Sequence, residues 1–475
     1  MIEDRPYQAT AVDAIVTFAA EHPEGGSLLV CCPPGGGKTV IVALSLNTLV
    51  AAQGLRAVAW AHRREIVCQN YDHLIGCGVP RHLIGILLTG DAGHEQNDPS
   101  LPRRRTDPSA PIQVGTVGMI RKHRPPADMV WSDEAHLDAS DGRRELRALY
   151  PTAFHLGTTG TPSRLDGRGL KREYGSFLPV SSVSELIALG YLADPIVWTV
   201  PDHLLPDLKS VRKKRGDYDV AELGRVSNRR AIVGGIVEHW KRHADGLRTF
   251  AFGVTKAHAR HITRAFQAAG VPWGYVDGKT AYDERQRLLN RVTDGDLIGL
   301  SCADLLTAGV DRPAIKCVIQ ARPTLSLVVH LQQTGRCMRP WGGVAPVILD
   351  HAGNSRRLGL PQEERDWQAI FESETGSSSV QSSGSRQRVK VCDRCFGVMP
   401  PHVAACRLCD AVFPPSAVPL LAPERDGALS RAKVDQAAKD EAWETILKVA
   451  SSVGADEAWA AKVYETRFGE ARRAA

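Results

Sequence analysis

Cys32-Pro33-Pro34-Gly35-Gly36-Gly37-Lys38-Thr39 is the stretch whose reading decides the fold. Residues 27–31 before it are an apolar run with the length of a buried strand. Residues 40–50 after it are Ala/Leu-rich and helical in character. Strand, glycine-rich loop and helix is the context in which a chain cradles phosphate. The glycines let backbone N–H groups turn onto phosphate oxygens, and the helix N-terminus adds its positive dipole end. Pro34, Gly35, Gly36, Gly37, Lys38 and Thr39 are therefore candidate nucleotide ligands. Lys38 is long enough to reach the β- and γ-phosphates, and the Thr39 hydroxyl suits Mg²⁺. Cys32 stands where such loops usually begin with glycine.

Ninety-odd residues on, the apolar run 129–132 leads into Asp133-Glu134-Ala135-His136. Two carboxylates at the carboxyl end of a strand sit where an α/β sheet places its ligand. Asp133 is the second candidate for Mg²⁺, and Glu134 the candidate for polarising the attacking water. Strand candidates also fall over 57–61, 112–116 and 153–157, the last ending in Thr158-Thr159-Gly160-Thr161. Residues 91–110 are polar and basic and read as a loop.

A second alternation of strands and helices begins near residue 232, with strands expected over 249–252, 273–276, 298–302, 317–320 and 347–350. It predicts another largely parallel sheet. This half has no phosphate loop, so one nucleotide would be shared by two domains. Gln332-Gln333-Thr334-Gly335-Arg336-Cys337-Met338-Arg339 carries two arginines three apart. On a helix they share a face and suit the charge of a triphosphate. The basic run at 211–216 reads as a solvated face.

Composition bounds the rest. A chain of 475 residues suggests roughly three domains at ~150 residues each. A net charge of +6 and a pI near 8.7 permit a polyanionic partner without demanding one. No apolar stretch is long enough for a membrane span and no basic, then apolar, leader is visible, so the expected location is cytoplasmic. Eleven cysteines suit reduced thiols. Four of them, Cys392, Cys395, Cys406 and Cys409, form two CxxC pairs ten residues apart, the pattern of a structural Zn²⁺ ribbon. A Ser/Gly linker precedes them. From residue 429 the chain is Ala-rich, charged and helical, with a break near Gly454 and an apolar stripe at Trp459, Val463, Tyr464 and Phe468. The expected divisions are 1–200, a connection 201–230, 231–371, a linker 372–391, a ribbon 392–415 and a helical region 416–475.

Taken in order, these segments resemble the superfamily 2 helicases. The resemblance implies two tandem RecA-like α/β domains closing on ATP. Gln8, with Arg5 beside it, resembles the adenine-reading glutamine, and Lys38-Thr39 and Asp133-Glu134-Ala135-His136 match the first and second motifs. Thr159-Gly160-Thr161 looks like the third. Gly309 and Asp311 match the fifth, with Ala308 in place of the frequent glutamate, and Gln332, Gly335, Arg336 and Arg339 match the sixth. The ribbon and helical tail look most like the RadD-type DNA repair helicases and their phage-encoded relatives. The resemblance implies an ATP- and Mg²⁺-dependent motor on single-stranded or forked DNA in repair, recombination or replication. Arg63 and Thr116 would touch the strand's backbone, and a repair or replication protein would be a partner. An RNA helicase, an ATP-gated binding or annealing protein, and a motor subunit without processive unwinding remain alternatives.

Overall fold

The computed structural model describes residues 5–61, 63–95, 100–214, 216–303, 305–307, 310, 312–375, 389–413, 436–452 and 455–468. Met1–Val389 form one body and Lys390–Ala475 a second.

Short apolar runs separated by amphipathic helices are satisfied by parallel sheets covered on both faces. In the first body β1 (Gly26–Cys31), β2 (Ala57–Ala61), β3 (Ile84–Leu87), β4 (Ile112–Thr116), β5 (Met129–Asp133), β6 (Phe154–Thr159) and β7 (Ser176–Pro179) form one sheet. Its order is β3-β4-β2-β5-β6-β1-β7. Every pairing is parallel. The register aligns Cys31 with Thr159 and Asp133 with Thr158. The phosphate loop, the acidic pair and the third motif therefore leave the sheet side by side, at its carboxyl edge.

The second sheet takes β8 (Ile196–Thr199), then, after the antiparallel hairpin β9 (Lys213–Lys214) and β10 (Asp217–Tyr218), β11 (Thr249–Phe252), β12 (Trp273–Tyr275), β13 (Gly299–Cys302), β14 (Cys317–Gln320) and β15 (Val347–Asp350). Its order is β12-β13-β11-β14-β15-β8, again all parallel. Phe266 stacks on Trp273 at 3.6 Å, and Trp240 meets both edge-on, which fills one face of this sheet.

Three boundaries differ from the sequence reading. β8 lies inside the stretch expected for the first domain, yet it pairs with β15, Ile196 against Val347. The connection 201–230 is folded: it holds the β9–β10 hairpin and a helix, Val220–Ser227, capped by the Asp219 carboxylate. At the far end, the helix Trp367–Glu372 leaves the second sheet and returns to the first. Phe371 is buried with Leu29, Ala135, Leu170 and Tyr174 and stacks on Phe177 at 4.8 Å. Ser373, at the start of the expected linker, accepts a hydrogen bond from the Gly169 N–H at 2.6 Å; residues 376–388 lie outside the described residues. Within the polar stretch 91–110, Arg104 is pinned in place by a buried ion pair with Asp72 at 2.7 Å.

In the second body β16 (Lys390–Val391) and β17 (Val398–Met399) pair antiparallel beside the four cysteines. Helices Gln436–Ser452 and Glu457–Phe468 bury Trp443, Ile446, Ala460 and Tyr464 between them, with Trp459 and Val463 half-buried alongside. Gly454 lies outside the described residues.

Candidate functional site

The phosphate loop turns on two left-handed glycines, Gly35 (φ +87°) and Gly37 (φ +85°). Gly37 directly precedes the helix Lys38–Leu46. A Cβ at Gly37 would overlap Gln8 Nε2, so only glycine lets the loop close on the first helix. Gln8 is buried, and its amide nitrogen donates to Gly36 O at 3.3 Å; the Tyr7 hydroxyl donates to the same oxygen at 2.8 Å. Arg5 lies over the Tyr191 ring at 4.3 Å, and Tyr191 meets Tyr7 at 5.6 Å. Lys38 Nζ donates to Cys32 O at 3.2 Å, across the mouth of the loop.

Facing the loop, Asp133 Oδ1 accepts from the Glu134 N–H at 3.0 Å and from Thr158 at 3.3 Å, while Oδ2 accepts from Asn70 at 3.4 Å. Burial and the neighbouring Glu134 charge raise the Asp133 pKa. A half-buried carboxylate that makes no ion pair among the described residues, with a threonine hydroxyl across the cavity, is a donor set that fits a divalent cation. Glu134 holds a left-handed backbone (φ +52°, ψ +54°), which costs a non-glycine residue about 1 kcal/mol or more. Burial pushes its carboxyl up. The close approach of His136 and the charges of Lys38 and Arg336 outweigh that and hold it at about 2. His136 Nδ1 lies 3.2 Å from Glu134 Oε2, and Gln332 Nε2 of the second domain donates to the same oxygen, also at 3.2 Å.

One cavity of about 540 Å³ runs between the domains. Lys38, Thr39, Asp133 and Glu134 line it from one side, and Arg336 and Arg339 from the other; Arg5, Gln8, Pro34, Gly35, Gly37 and Tyr191 extend it toward the first helix. Gly36 lies behind the loop, where a Cβ would press on Cys32 and Leu186. The helix Leu327–Thr334 ends before the two arginines, which stand on the turn after it and not on a shared helical face. Arg336 donates to Val310 O at 2.6 Å and to Gln332 O at 3.1 Å. Burial lowers the pKa of both arginines, and the charge of Arg5 adds to the effect at Arg339, pulling it to about 10. Such a pocket gains from an anion.

Other expected site residues lie elsewhere. Arg63 Nη1 donates to Leu305 O at 3.2 Å, across the domain boundary. Thr116 caps the helix Val117–His123, accepting from the Met119 N–H at 3.4 Å. Gly309 and Asp311 lie outside the described residues. Sequence reasoning missed Asn70, Tyr191 and the polar group behind the acidic pair, Ser132, Asp138, Arg143 and Tyr174. Asn70, Arg143, Tyr174 and Tyr191 are single polar or aromatic residues with no motif around them, whereas Ser132 and Asp138 flank Asp133-Glu134-Ala135-His136 and could have been found from that adjacency.

The four cysteine sulfurs lie within 4.8 Å of one another, with Cys392–Cys409 and Cys395–Cys406 both at 3.6 Å and no disulfide. The two CxxC turns match. In each, the residue after the second cysteine is left-handed (Phe396, φ +61°; Asp410, φ +56°), and the first cysteine's N–H donates to the next residue's carbonyl, Gly397 or Ala411.

Residues 1–164 match the family model of the type III restriction enzyme res subunit, and residues 231–340 that of the helicase conserved C-terminal domain. A 51.5 kDa protein of a Lactococcus phage (isolate 7-9) is 27% identical over 376 residues, 79% of this chain and 76% of the relative. A Saccharomyces cerevisiae protein assigned as the ATP-dependent helicase IRC3 is 25% identical over 221 residues, 45% of this chain but only 32% of its own length. A fragment assigned to an HsdR subunit of a type I restriction enzyme from Vibrio vulnificus shares the fold (TM-score 0.57, 20% identity, 78% of this chain and 67% of that one). With both motor halves matched in order, on two parallel sheets that enclose one charged cavity, the chain belongs to the superfamily 2 helicases, as an ATP-hydrolysing enzyme.

Proposed function

We propose that this enzyme couples ATP hydrolysis to movement along, or remodelling of, DNA in repair, recombination or replication. The observation that carries the reading is the shared cavity, whose carboxylates come from one domain and whose arginines come from the other. In this reading the Gly35–Gly37 backbone and Lys38 bind the phosphates. Thr39 and Asp133 hold Mg²⁺, which when bound neutralises phosphate charge. Glu134, ionised at neutral pH, orients the attacking water, and Arg336 and Arg339 stabilise charge on the transferred phosphoryl group. Because the arginines and Gln332 belong to the second domain, the site is complete only with the domains together, and hydrolysis reports on their closure. Arg5, Gln8, Tyr7 and Tyr191 form the end of the cavity suited to a base. Gly309 and Asp311, by the resemblance of their motif, would join the nucleotide's ligands from the second domain.

DNA is favoured over RNA by the match of residues 1–164 to the model of a restriction-enzyme subunit. Arg63 and Thr116, at the carboxyl ends of β2 and β4, would meet the strand's backbone, so binding is sequence-independent and salt-sensitive. The sulfur separations of 3.6 Å suit a tetrahedral ion with metal–sulfur bonds near ~2.3 Å, and zinc would fold the ribbon.

The test is ATP hydrolysis by the whole chain and by Glu134→Gln, without nucleic acid and with single-stranded DNA, forked DNA or RNA. DNA should stimulate wild type more than RNA does, and the variant should lose ~10²-fold or more in kcat. Hydrolysis indifferent to every nucleic acid, or stimulated only by RNA, would overturn the DNA reading.

A further inference from the structure

We propose that Arg143 is a positioning residue for Glu134, the carboxylate assigned above to the attacking water, and the inference rests on that assignment. Arg143 stands on the short helix Asp141–Arg147, behind the acidic pair. Its Nη1 is shared among four oxygens. Two are Asp138 Oδ1 at 2.6 Å and Ser132 Oγ at 3.0 Å. The others are backbone carbonyls, Asp133 O at 3.0 Å and Glu134 O at 3.4 Å. These two carbonyls belong to the peptide groups on either side of the Glu134 Cα. Rotation about φ moves one relative to the other, and rotation about ψ does the same. A single cation that holds both fixes the two dihedrals together, and Glu134 is the residue whose backbone is left-handed.

The anchor is itself fixed. Arg143 is 3% exposed and Asp138 fully buried, so neither charge finds water, and each needs the other. Asp138 also accepts from Ser132 Oγ at 2.6 Å and from the Tyr174 hydroxyl, and Ser132 accepts from Trp60 Nε1 at 2.8 Å. None of these side chains lines the nucleotide cavity. They act on the reaction only through the backbone that aims Glu134. Without the clamp, Glu134 relaxes toward ordinary backbone angles and its carboxylate leaves the spot that His136 and Gln332 share.

The experiment compares wild type with two variants. Asp138→Asn/Arg143→Gln leaves no unpaired buried charge, and its shorter amide cannot reach both carbonyls. Arg143→Lys keeps a charge against Asp138 without the guanidinium. Measured quantities are kcat and KM for ATP, affinity for fluorescent Mg·ADP, and Tm. The expected result is a tenfold or greater fall in kcat for the double variant and threefold or more for Arg143→Lys, with KM and ADP affinity within twofold and Tm nearly unchanged. A folded variant of either kind whose kcat stays within twofold of wild type overturns the proposal. So does a fall in ADP affinity and Tm that keeps step with kcat, which is what a merely structural role would produce. Glu134→Gln is run beside them: if it hydrolyses ATP like wild type, the assignment of Glu134 fails. If it is inactive while the Arg143 variants are normal, only the present inference fails.

Discussion

Gly37 and Gly157 show how little room the site leaves around single atoms. Gly37 combines a left-handed backbone with a side-chain position already taken by Gln8. Gly37→Ala should strain the loop and expel the Gln8 amide, raising KM for ATP by about tenfold, the equivalent of roughly 1.4 kcal/mol of lost binding, in steady-state kinetics. Gly157, on β6, would bring a Cβ into the Tyr174 ring. Gly157→Ala should overpack that spot and lower stability by about 1–3 kcal/mol in denaturant unfolding, and unchanged stability would contradict the packing described. At this scale the sequence was legible where function depends on neighbours in the chain. Lys38, Thr39, Asp133 and Glu134 are recognisable because each motif is a local strand-to-loop junction. Arg143 and Tyr174 were not legible, because a lone arginine or tyrosine has no spacing to read, and the two meet only through Asp138.

The elements themselves carry two further expectations. The matched CxxC turns predict one zinc per chain, and Cys406→Ser/Cys409→Ser should bring the zinc content by elemental analysis to near zero; unchanged zinc would remove the ribbon reading. In the second domain three histidines are buried and kept neutral. Burial pulls His258 and His330 to about 4 and His351 to about 3, with His261, Arg365 and His239 respectively adding to the effect. Their folded values lie below the unfolded value near 6.5, so the unfolded chain binds more protons as the pH falls. Stability is full above about 6.5 and is lost toward 4, by at most about 1.4 kcal/mol per pH unit for each histidine. Thermal unfolding at pH 5 should therefore begin at lower temperature than at pH 7, and His258→Gln should reduce the difference. Most strand positions were readable from apolar runs, but β7 and β8 were not. The end of the helix Leu327–Thr334 was readable too, in Gly335 at its C-cap and Pro340 beyond, but the pairing of Arg336 with Arg339 on one helical face passed over that signal.

At the scale of the whole first body, the domains are joined twice. The chain crosses before β8 and crosses back at Trp367–Glu372, where Phe371 packs behind the acidic pair against Ala135 and Tyr174. Opening of the cavity must therefore be accommodated between β15 and that helix. Phe371→Ala should cost the docked helix about 3–5 kcal/mol and show as faster amide exchange over residues 367–375, while β11 and β14 keep their protection. Equal exchange in the variant would show that the return crossing is not held by this ring. The sequence by itself determined the class of the fold, the place of the glycine-rich loop and the acidic pair, the order of the motifs and the cysteine pattern. All of these are written in short-range spacing and in the period of apolar residues. Only the tertiary structure decided that β8 belongs to the second sheet, that residues 367–373 return to the first, that Arg63 bridges the domains, and that one buried arginine holds both peptide groups of Glu134. The first three choices depend on which surfaces far apart in the chain find each other, and a pairing energy between distant residues leaves no mark on either stretch alone; the arginine lies only nine residues from Glu134, but which of its neighbours it meets is set by how the intervening turn folds.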